Sequence, residues 1–375
     1  MGISKTKKKK LKGVCVFGGF VTGYPRSTVL RKGLEKLGLG VSECHVSHKQ
    51  RLPVRYTNLF LKYMFSKRDF SVIYVPEFRH KDVPLAWLLG KLTRKIVVFD
   101  PLVSRFDTKV RDRGDAGEYS LQAWHNKNLD RMSLALPDLV LADTEAHAEY
   151  YISQLGASEN KVRVLPVGFD EELFKLPIGG EAQLESIPRE PSKFTVLFYG
   201  TYLPLHGVPT IVEAAKALRN QQDIVFELIG GGQTFEDVES YVNAEGLENV
   251  RLMRRVPTES LPGRISSASL CLGIFGKTDK ALRVVPNKVY QCMAMGKTVV
   301  TAASRAIREH FVDGDTICLV PPGDAEALAE KINYLASSPE DNAGIGARAY
   351  RLLHERYQSK RIAESFLDYC NEAVG

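Results

Sequence analysis

The 375-residue chain lacks the long apolar runs that a membrane-spanning helix needs, which would be about 20 residues each. No apolar core follows the N-terminal lysines, so a secretory leader is not expected. There is no C-x-x-C pair. The six cysteines (Cys15, Cys44, Cys271, Cys292, Cys318 and Cys370) are scattered through apolar surroundings, which suits reduced, buried side chains and neither bridges nor metal ligands. No His/Cys cluster suggests zinc and no Ser/His/Asp order suggests hydrolysis. The dinucleotide fingerprint G-x-G-x-x-G is absent after the first apolar run, which argues against a bound nicotinamide cofactor. What remains is ordinary globular composition, 44% apolar and 25% charged, enough for about two domains.

Charge is unevenly placed. Residues 1–100 hold 21 Lys and Arg against 6 Asp and Glu, a net of +15, and residues 101–375 hold 30 against 38, a net of −8. One end of the protein is therefore suited to an anionic partner. Residues 1–12 are a lysine-rich tail, either solvated or an electrostatic membrane anchor. Residues 48–70 interleave Lys and Arg with Tyr, Phe and Leu. Such a helix either lies on an anionic bilayer or packs its aromatics inward. Nucleic acid is not expected, because no reading motif accompanies the charge.

Short apolar runs recur at 14–17, 71–75, 95–99, 139–142 and 162–166, with helical patterns between them at 28–37, 84–92 and 146–155. This alternation predicts βαβ units around a parallel sheet buried on both faces. Residues 176–192 are rich in Pro, Gly and acidic residues, and after them the alternation restarts at 194–199, 224–229, 250–253, 270–274 and 298–301. The expected organisation is a basic tail (1–12), a first Rossmann-like domain (13–178), a linker (179–193), a second Rossmann-like domain (194–348) and a closing helix (349–375) crossing back to the first domain. The fold class is α/β, two Rossmann-like doubly wound domains facing a cleft. Ligands of such sheets sit at the carboxyl ends of the strands.

Three strand-end segments stand out. Gly18-Gly19 after the first strand and Gly200-Thr201 after the first strand of the second half allow backbone to approach an anion. Lys280, Arg283 and Lys288 surround a helix entrance that also holds Asn287 and Gln291, and residues 251–300 carry 9 Lys and Arg against 2 acids. That entrance suits a pyrophosphate. Asp313 and Asp315 form a D-x-D pair within a glycine turn and are not read as a metal site.

The stretches FTVLFYG (194–200), IVFELIGGG (224–232) and PNKVYQCMAMGKTVVTA (286–302) resemble the nucleotide-sugar domain of GT-B glycosyltransferases of family four, the group 1 transferases. The segments 309–314 and 319–329 follow the same pattern, and 142–145 and 164–170 resemble the segment before the domain crossing. The resemblance implies a retaining, metal-independent hexosyl transfer from a nucleotide-diphosphate sugar to a hydroxyl, with no cofactor, and residues 48–70 together with the N-terminal lysines point to a membrane-proximal glycolipid or polysaccharide precursor as the acceptor. The expected setting is the cytoplasm, with peripheral attachment to the inner face of the membrane. It also implies donor-binding roles for Gly18, Gly19, Gly200, Thr201, Arg283, Asn287, Lys288 and Gln291. His206 would act at the leaving diphosphate, Asp100 as the base for the acceptor hydroxyl, and His80 on the acceptor side. The family's E-x7-E acids are replaced here by Arg283 and Gln291. A binding-only relic and a sugar-nucleotide epimerase are the alternative readings.

Overall fold

A computed structural model describes residues 11–66, 69–176 and 193–373. The chain divides into two units. One runs to Val167 and takes back the chain from Ser359 on, and the other is Gly168–Gln358.

The first unit is a six-stranded, all-parallel sheet in the order β2-β1-β3-β4-β5-β6. Its strands are β1 (Gly13–Gly18), β2 (Gly40–His45), β3 (Val72–Val75), β4 (Ile96–Phe99), β5 (Leu139–Ala142) and β6 (Val162–Val164). Its helices are α1 (Pro25–Lys36), α2 (Leu52–Phe65), α3 (Val83–Thr93), α4 (Leu121–Ala135) and α5 (Glu145–Leu155). The strands read as continuous apolar runs because both faces are covered. On β1, Val14 and Val16 join the core shared with α1, while Cys15 and Phe17 join the core shared with α2, α3 and α5. The edge strand β2 is mostly exposed, and its sequence GVSECH carries no apolar run that would reveal it.

The second unit repeats the plan in the order β12-β11-β10-β7-β8-β9, again all parallel. The strands are β7 (Phe194–Thr201), β8 (Ile224–Gly231), β9 (Val250–Met253), β10 (Leu270–Leu272), β11 (Val299–Ala302) and β12 (Cys318–Val320). The helices are α6 (Val208–Ala217), α7 (Phe235–Ala244), α8 (Leu261–Ser267), α9 (Asn287–Ala294), α10 (Arg305–Arg308), α11 (Ala325–Ser337) and α12 (Pro339–Arg356).

The segment from 349 on is two helices rather than one. α12 ends at Arg356, where the Tyr357 ring packs 5.5 Å from Tyr290 and the Tyr357 carbonyl accepts the Phe169 N–H at 3.2 Å. α13 (Ser359–Glu372) then packs on α1 in the first unit. The tail 1–12 lies outside the described residues except for Leu11 and Lys12, and the linker 179–193 except for Lys193.

The α1–α13 crossing needs a residue without a side chain. A Cβ added at Gly33 would meet the Ser359 carbonyl oxygen at 1.9 Å. Gly33→Val is expected to destabilise by about 1–3 kcal/mol through overpacking. A chemical-denaturation midpoint equal to that of the native protein would contradict this packing.

Candidate active site

The second unit gathers its polar groups at the carboxyl end of β7. β7 ends at Gly200-Thr201, and a single 3-10 turn (Pro204–His206) leads to α6. Gly200 has φ +154, and a Cβ there would stand 2.9 Å from Lys288 Nζ and 3.4 Å from His206 Cε1. The bare backbone is what lets the lysine lie against the strand end. Lys288 comes from the first turn of α9, which has neither an acidic residue nor a side-chain cap at its start. The helix thus presents an uncompensated positive end next to a cationic side chain.

Lys288 is 5% exposed, and among the described residues its ammonium has no hydrogen-bond partner. It lies 3.9 Å over the Phe198 ring, a cation–π contact. Burial lowers its pKa to about 7. A buried amine with nothing to bond is a cost the fold carries, and an anion would relieve it. One turn further on, Gln291 accepts a hydrogen bond from the Tyr199 hydroxyl at 2.8 Å, and the Cys292 thiol approaches that hydroxyl at 3.6 Å. Tyr199 carried no signal in the sequence, since it reads as one more apolar strand residue. Lys280 is buried and close enough to act on His206, so it joins the site together with Lys288.

His206 does not fit the role expected of it. Burial, then the Lys288 charge, push its pKa well below the usual imidazole range. Its Nδ1 faces the Thr201 carbonyl, which can only accept, so Nδ1 carries the proton and Nε2 is an acceptor. A neutral ring of that tautomer offers a phosphate neither charge nor hydrogen bond. Arg283 stands half-buried on the 3-10 turn Ala281–Arg283, and Asn287 is the first residue of α9. The D-x-D pair is structural here. Asp313 accepts the Leu319 N–H at 2.9 Å, and Asp315 pairs with Arg348 at 2.7 Å.

In the first unit the expected residues are occupied by the protein's own groups. The Gly19 N–H donates to Asp82 Oδ2 at 2.9 Å, while Asp82 Oδ1 lies 2.8 Å from Arg55. A Cβ at Gly18 would stand 2.9 Å from the same carboxylate. The close approach at Gly18 is made by Asp82 and that at Gly19 by Arg55 Cδ at 2.9 Å and the His48 backbone at 3.2 Å, in the place assigned to a donor phosphate. Asp100 is wholly buried. Its Oδ2 lies 2.6 Å from Arg26 Nε and accepts from the Tyr74 hydroxyl at 2.8 Å. Arg26 in turn donates to the Leu165 carbonyl at 3.0 Å. Locked in this pair, Asp100 meets no acceptor hydroxyl.

His80 is 1% exposed, packs edge-on to Phe99, and points Nε2 at Asp130 at 3.3 Å. Burial, then the Arg105 charge, lower its pKa to about 3. It is a neutral structural ring and not part of an acceptor surface. The sequence could not have separated these readings, because a polar residue at a strand end looks the same whether it faces ligand or a partner folded over it.

α2 divides its apolar residues. Leu59 and Tyr63 go inward, and Leu61, Met64 and Phe65 stay exposed, Phe65 at 86%.

Residues 193–338 match the family model described as Glycosyl transferases group 1. Alpha-D-kanosaminyltransferase of Streptomyces kanamyceticus is 28% identical over 164 residues, 43% of this chain; the chain spans only 41% of that relative's length. Phosphatidyl-myo-inositol mannosyltransferase of Mycobacterium leprae is 25% identical over 88% of this chain and 84% of its own. Among solved structures, Anabaena Alr3699/HepE in complex with UDP superposes with a TM-score of 0.70 at 16% identity, covering 96% of this chain and 99% of that one. The second unit of this chain therefore carries a group 1 glycosyl transferase domain, and the chain as a whole has the two-domain α/β fold of the GT-B glycosyltransferases.

Proposed function

We propose that this protein transfers a sugar from a nucleotide-diphosphate donor to the hydroxyl of a membrane-proximal acceptor at the cytoplasmic face, retaining the anomeric configuration and using no metal. The observation that carries the reading is Lys288, a buried ammonium without a hydrogen-bond partner at the open start of α9, facing a strand end that has no side chain. A diphosphate seated there replaces the missing partner and draws the lysine into its charged form. As the glycosidic bond breaks, negative charge grows on the leaving diphosphate. A fixed cation and a helix start already in place stabilise that charge without reorganising.

Lys280 and Arg283 add positive charge at the same entrance, and Thr201 and Asn287 line it. Gln291 has its carbonyl oxygen taken by Tyr199, which leaves its amide N–H groups to donate to a ribose oxygen. The acceptor proton passes to the leaving diphosphate oxygen, since Asp100 is not free to take it. An acceptor near a membrane is supported by the exposed apolar side of α2 and by the basic balance of residues 1–100. UDP in the complexed HepE structure and the phosphatidylinositol substrate in the name of the mycobacterial relative are consistent with a donor and an acceptor of these classes.

A thermal-shift panel of UDP-, GDP- and ADP-sugars tests the reading. Ligand bound only by the folded state raises the midpoint by mass action. We expect a rise with one base and slow hydrolysis of that sugar nucleotide without acceptor in chelator. No rise with any of the three at millimolar concentration sinks the transferase reading. A rise without any turnover would leave the binding-only reading standing in its place.

A further inference from the structure

A second group of cations lies in the first unit, at the carboxyl ends of β3 and β4, and the transfer chemistry above makes no use of it. Arg79, Lys81, Arg105 and Lys109 belong to the two loops that follow these strands, and Arg55 reaches in from α2. The loops are held rigidly. The Phe78 N–H donates to the Pro101 carbonyl at 3.3 Å, and both Phe78 (φ +66) and Leu102 (φ +59) are in the left-handed region that bulky residues avoid. Strain of this kind persists where the surroundings enforce it, and it gathers at ligand sites.

The charges do not balance locally. The carboxylates that act on Arg79, Lys81 and Arg105 are Asp82 and Asp130, with Glu77 beyond Arg79. Asp82 is engaged by Arg55 and by the Gly19 N–H. Asp130 accepts from the Ser104 hydroxyl at 2.6 Å and from the Arg105 and Phe106 N–H groups at 3.0 and 2.9 Å. Glu77 accepts from Ser27 at 2.9 Å, and its pKa is raised to about 7 by burial and by Asp100. Arg79 gives one N–H to the Gly19 carbonyl and Arg105 gives its Nε–H to Asn126 at 3.2 Å. Among the described residues, none of Arg79, Lys81, Arg105 and Lys109 makes an ion pair. Burial lowers the pKa of Arg79, Lys81 and Arg105, and neighbouring cations lower Arg79 and Lys81 further.

This group lies among the helices that cover one face of the sheet. The Tyr56 hydroxyl on α2 holds the Lys81 carbonyl, and Asp130 on α4 holds the loop Ser104–Phe106. The outward sides of α2, α3 and α4 expose Leu61, Phe65, Leu92, Leu121 and Trp124, four of them at 68–86%. The second unit exposes just Val312 and Tyr334 among its large apolar side chains that are described.

We infer that Arg79, Lys81, Arg105 and Lys109 bind the phosphate group of a phosphoester, presented by a lipid headgroup at the edge of this apolar face. The inference deepens the acceptor side of the proposed function. It is tested without any nucleotide sugar, so it can fail while the transferase reading stands, and the reverse.

The test uses the full chain and two double variants. Lys81→Ala/Lys109→Ala removes two cations of the group, and Arg251→Ala/Arg255→Ala removes two exposed cations of the second unit. Flotation on phosphatidylcholine vesicles with and without phosphatidic acid is paired with calorimetric titration of sn-glycerol 3-phosphate. Phosphatidic acid should be required for flotation, and the first variant should bind those vesicles about tenfold more weakly, the loss expected for charge-assisted hydrogen bonds. The second variant should match the native protein. If glycerol 3-phosphate binds in a Lys81/Lys109-dependent way while vesicle binding is unchanged, the phosphate site is supported and its ligand is a soluble ester. Equal losses in both variants would reduce the effect to general surface charge and overturn the site. Unchanged binding of both probes in the first variant would overturn it as well.

Discussion

Replacing Lys288 with methionine should abolish donor binding and, in the same protein, raise the thermal midpoint of the unliganded state. The two effects have one cause. Burial lowers the Lys288 pKa to about 7 from its ordinary value near 10.5. Between these values the unfolded chain holds a proton that the folded one releases, so stability rises with pH from about 7 to about 10.5. Below about 7 the charge is kept in both states and the folded state bears the whole desolvation cost, which amounts to several kcal/mol. Methionine fills a similar volume over Phe198 and bears none of it. A diphosphate reverses the balance, because the bound lysine is charged and paired. Donor affinity of the native protein should therefore be greatest below about pH 7 and decline above it, and the thermal midpoint of the unliganded methionine variant should lack the native rise from about pH 7 upward. A variant that is less stable than the native protein, or that still binds donor, would remove Lys288 from the centre of the site.

Arg26→Met should lower the midpoint of the first unit steeply. The substitution leaves Asp100 wholly buried with the Tyr74 hydroxyl in place of a full ion pair. Breaking such a pair from one side costs about 3–5 kcal/mol. At roughly 2–4 °C per kcal/mol for a domain of this size, the midpoint should fall by about 10 °C. Asp100→Asn should also destabilise, since it strands the Arg26 charge, which burial opposes and Asp100 sustains. The double variant Arg26→Met/Asp100→Leu should recover most of the loss, because the unpaired charge is the main penalty. Transfer measured on the folded fraction of Asp100→Asn should stay near the native rate. A stable Asp100→Asn protein without transfer activity would reinstate Asp100 as the base.

The sheets were legible from the chain because their strands are buried on both faces. Runs such as 14–17, 95–99 and 194–199 have no polar side to show, and glycine or a turn ends each. The strand that escaped, Gly40–His45, is at an edge and mostly exposed, so its residues obey no burial pattern. The grouping of polar residues at the end of β7 has a different origin. Gly200 lies against Lys288, and Tyr199 against Gln291, because β7 pairs with β10, the strand that precedes α9, so the strand ends and the helix start lie at the same end of the sheet.

The first-unit residues show where such reading stops. Gly18-Gly19, His80 and Asp100 all stand at strand ends, as a ligand site requires. Whether each meets ligand or protein was decided by residues distant in sequence: Asp82 and Arg55 around Gly19, Asp130 beside His80, and Arg26 beside Asp100. The division on α2 has the same origin, since inward and outward apolar residues differ only in what the sheet beneath them covers. The sequence by itself determined the layer architecture, the two units and the cationic start of α9, because these follow from periodicity and local turn chemistry. Tertiary structure alone decided protonation and partnership. The Lys288 ammonium is depressed, the His206 ring neutral and the Asp100 carboxylate locked because of what is packed within a few ångströms of each, and that is a property of the assembled fold.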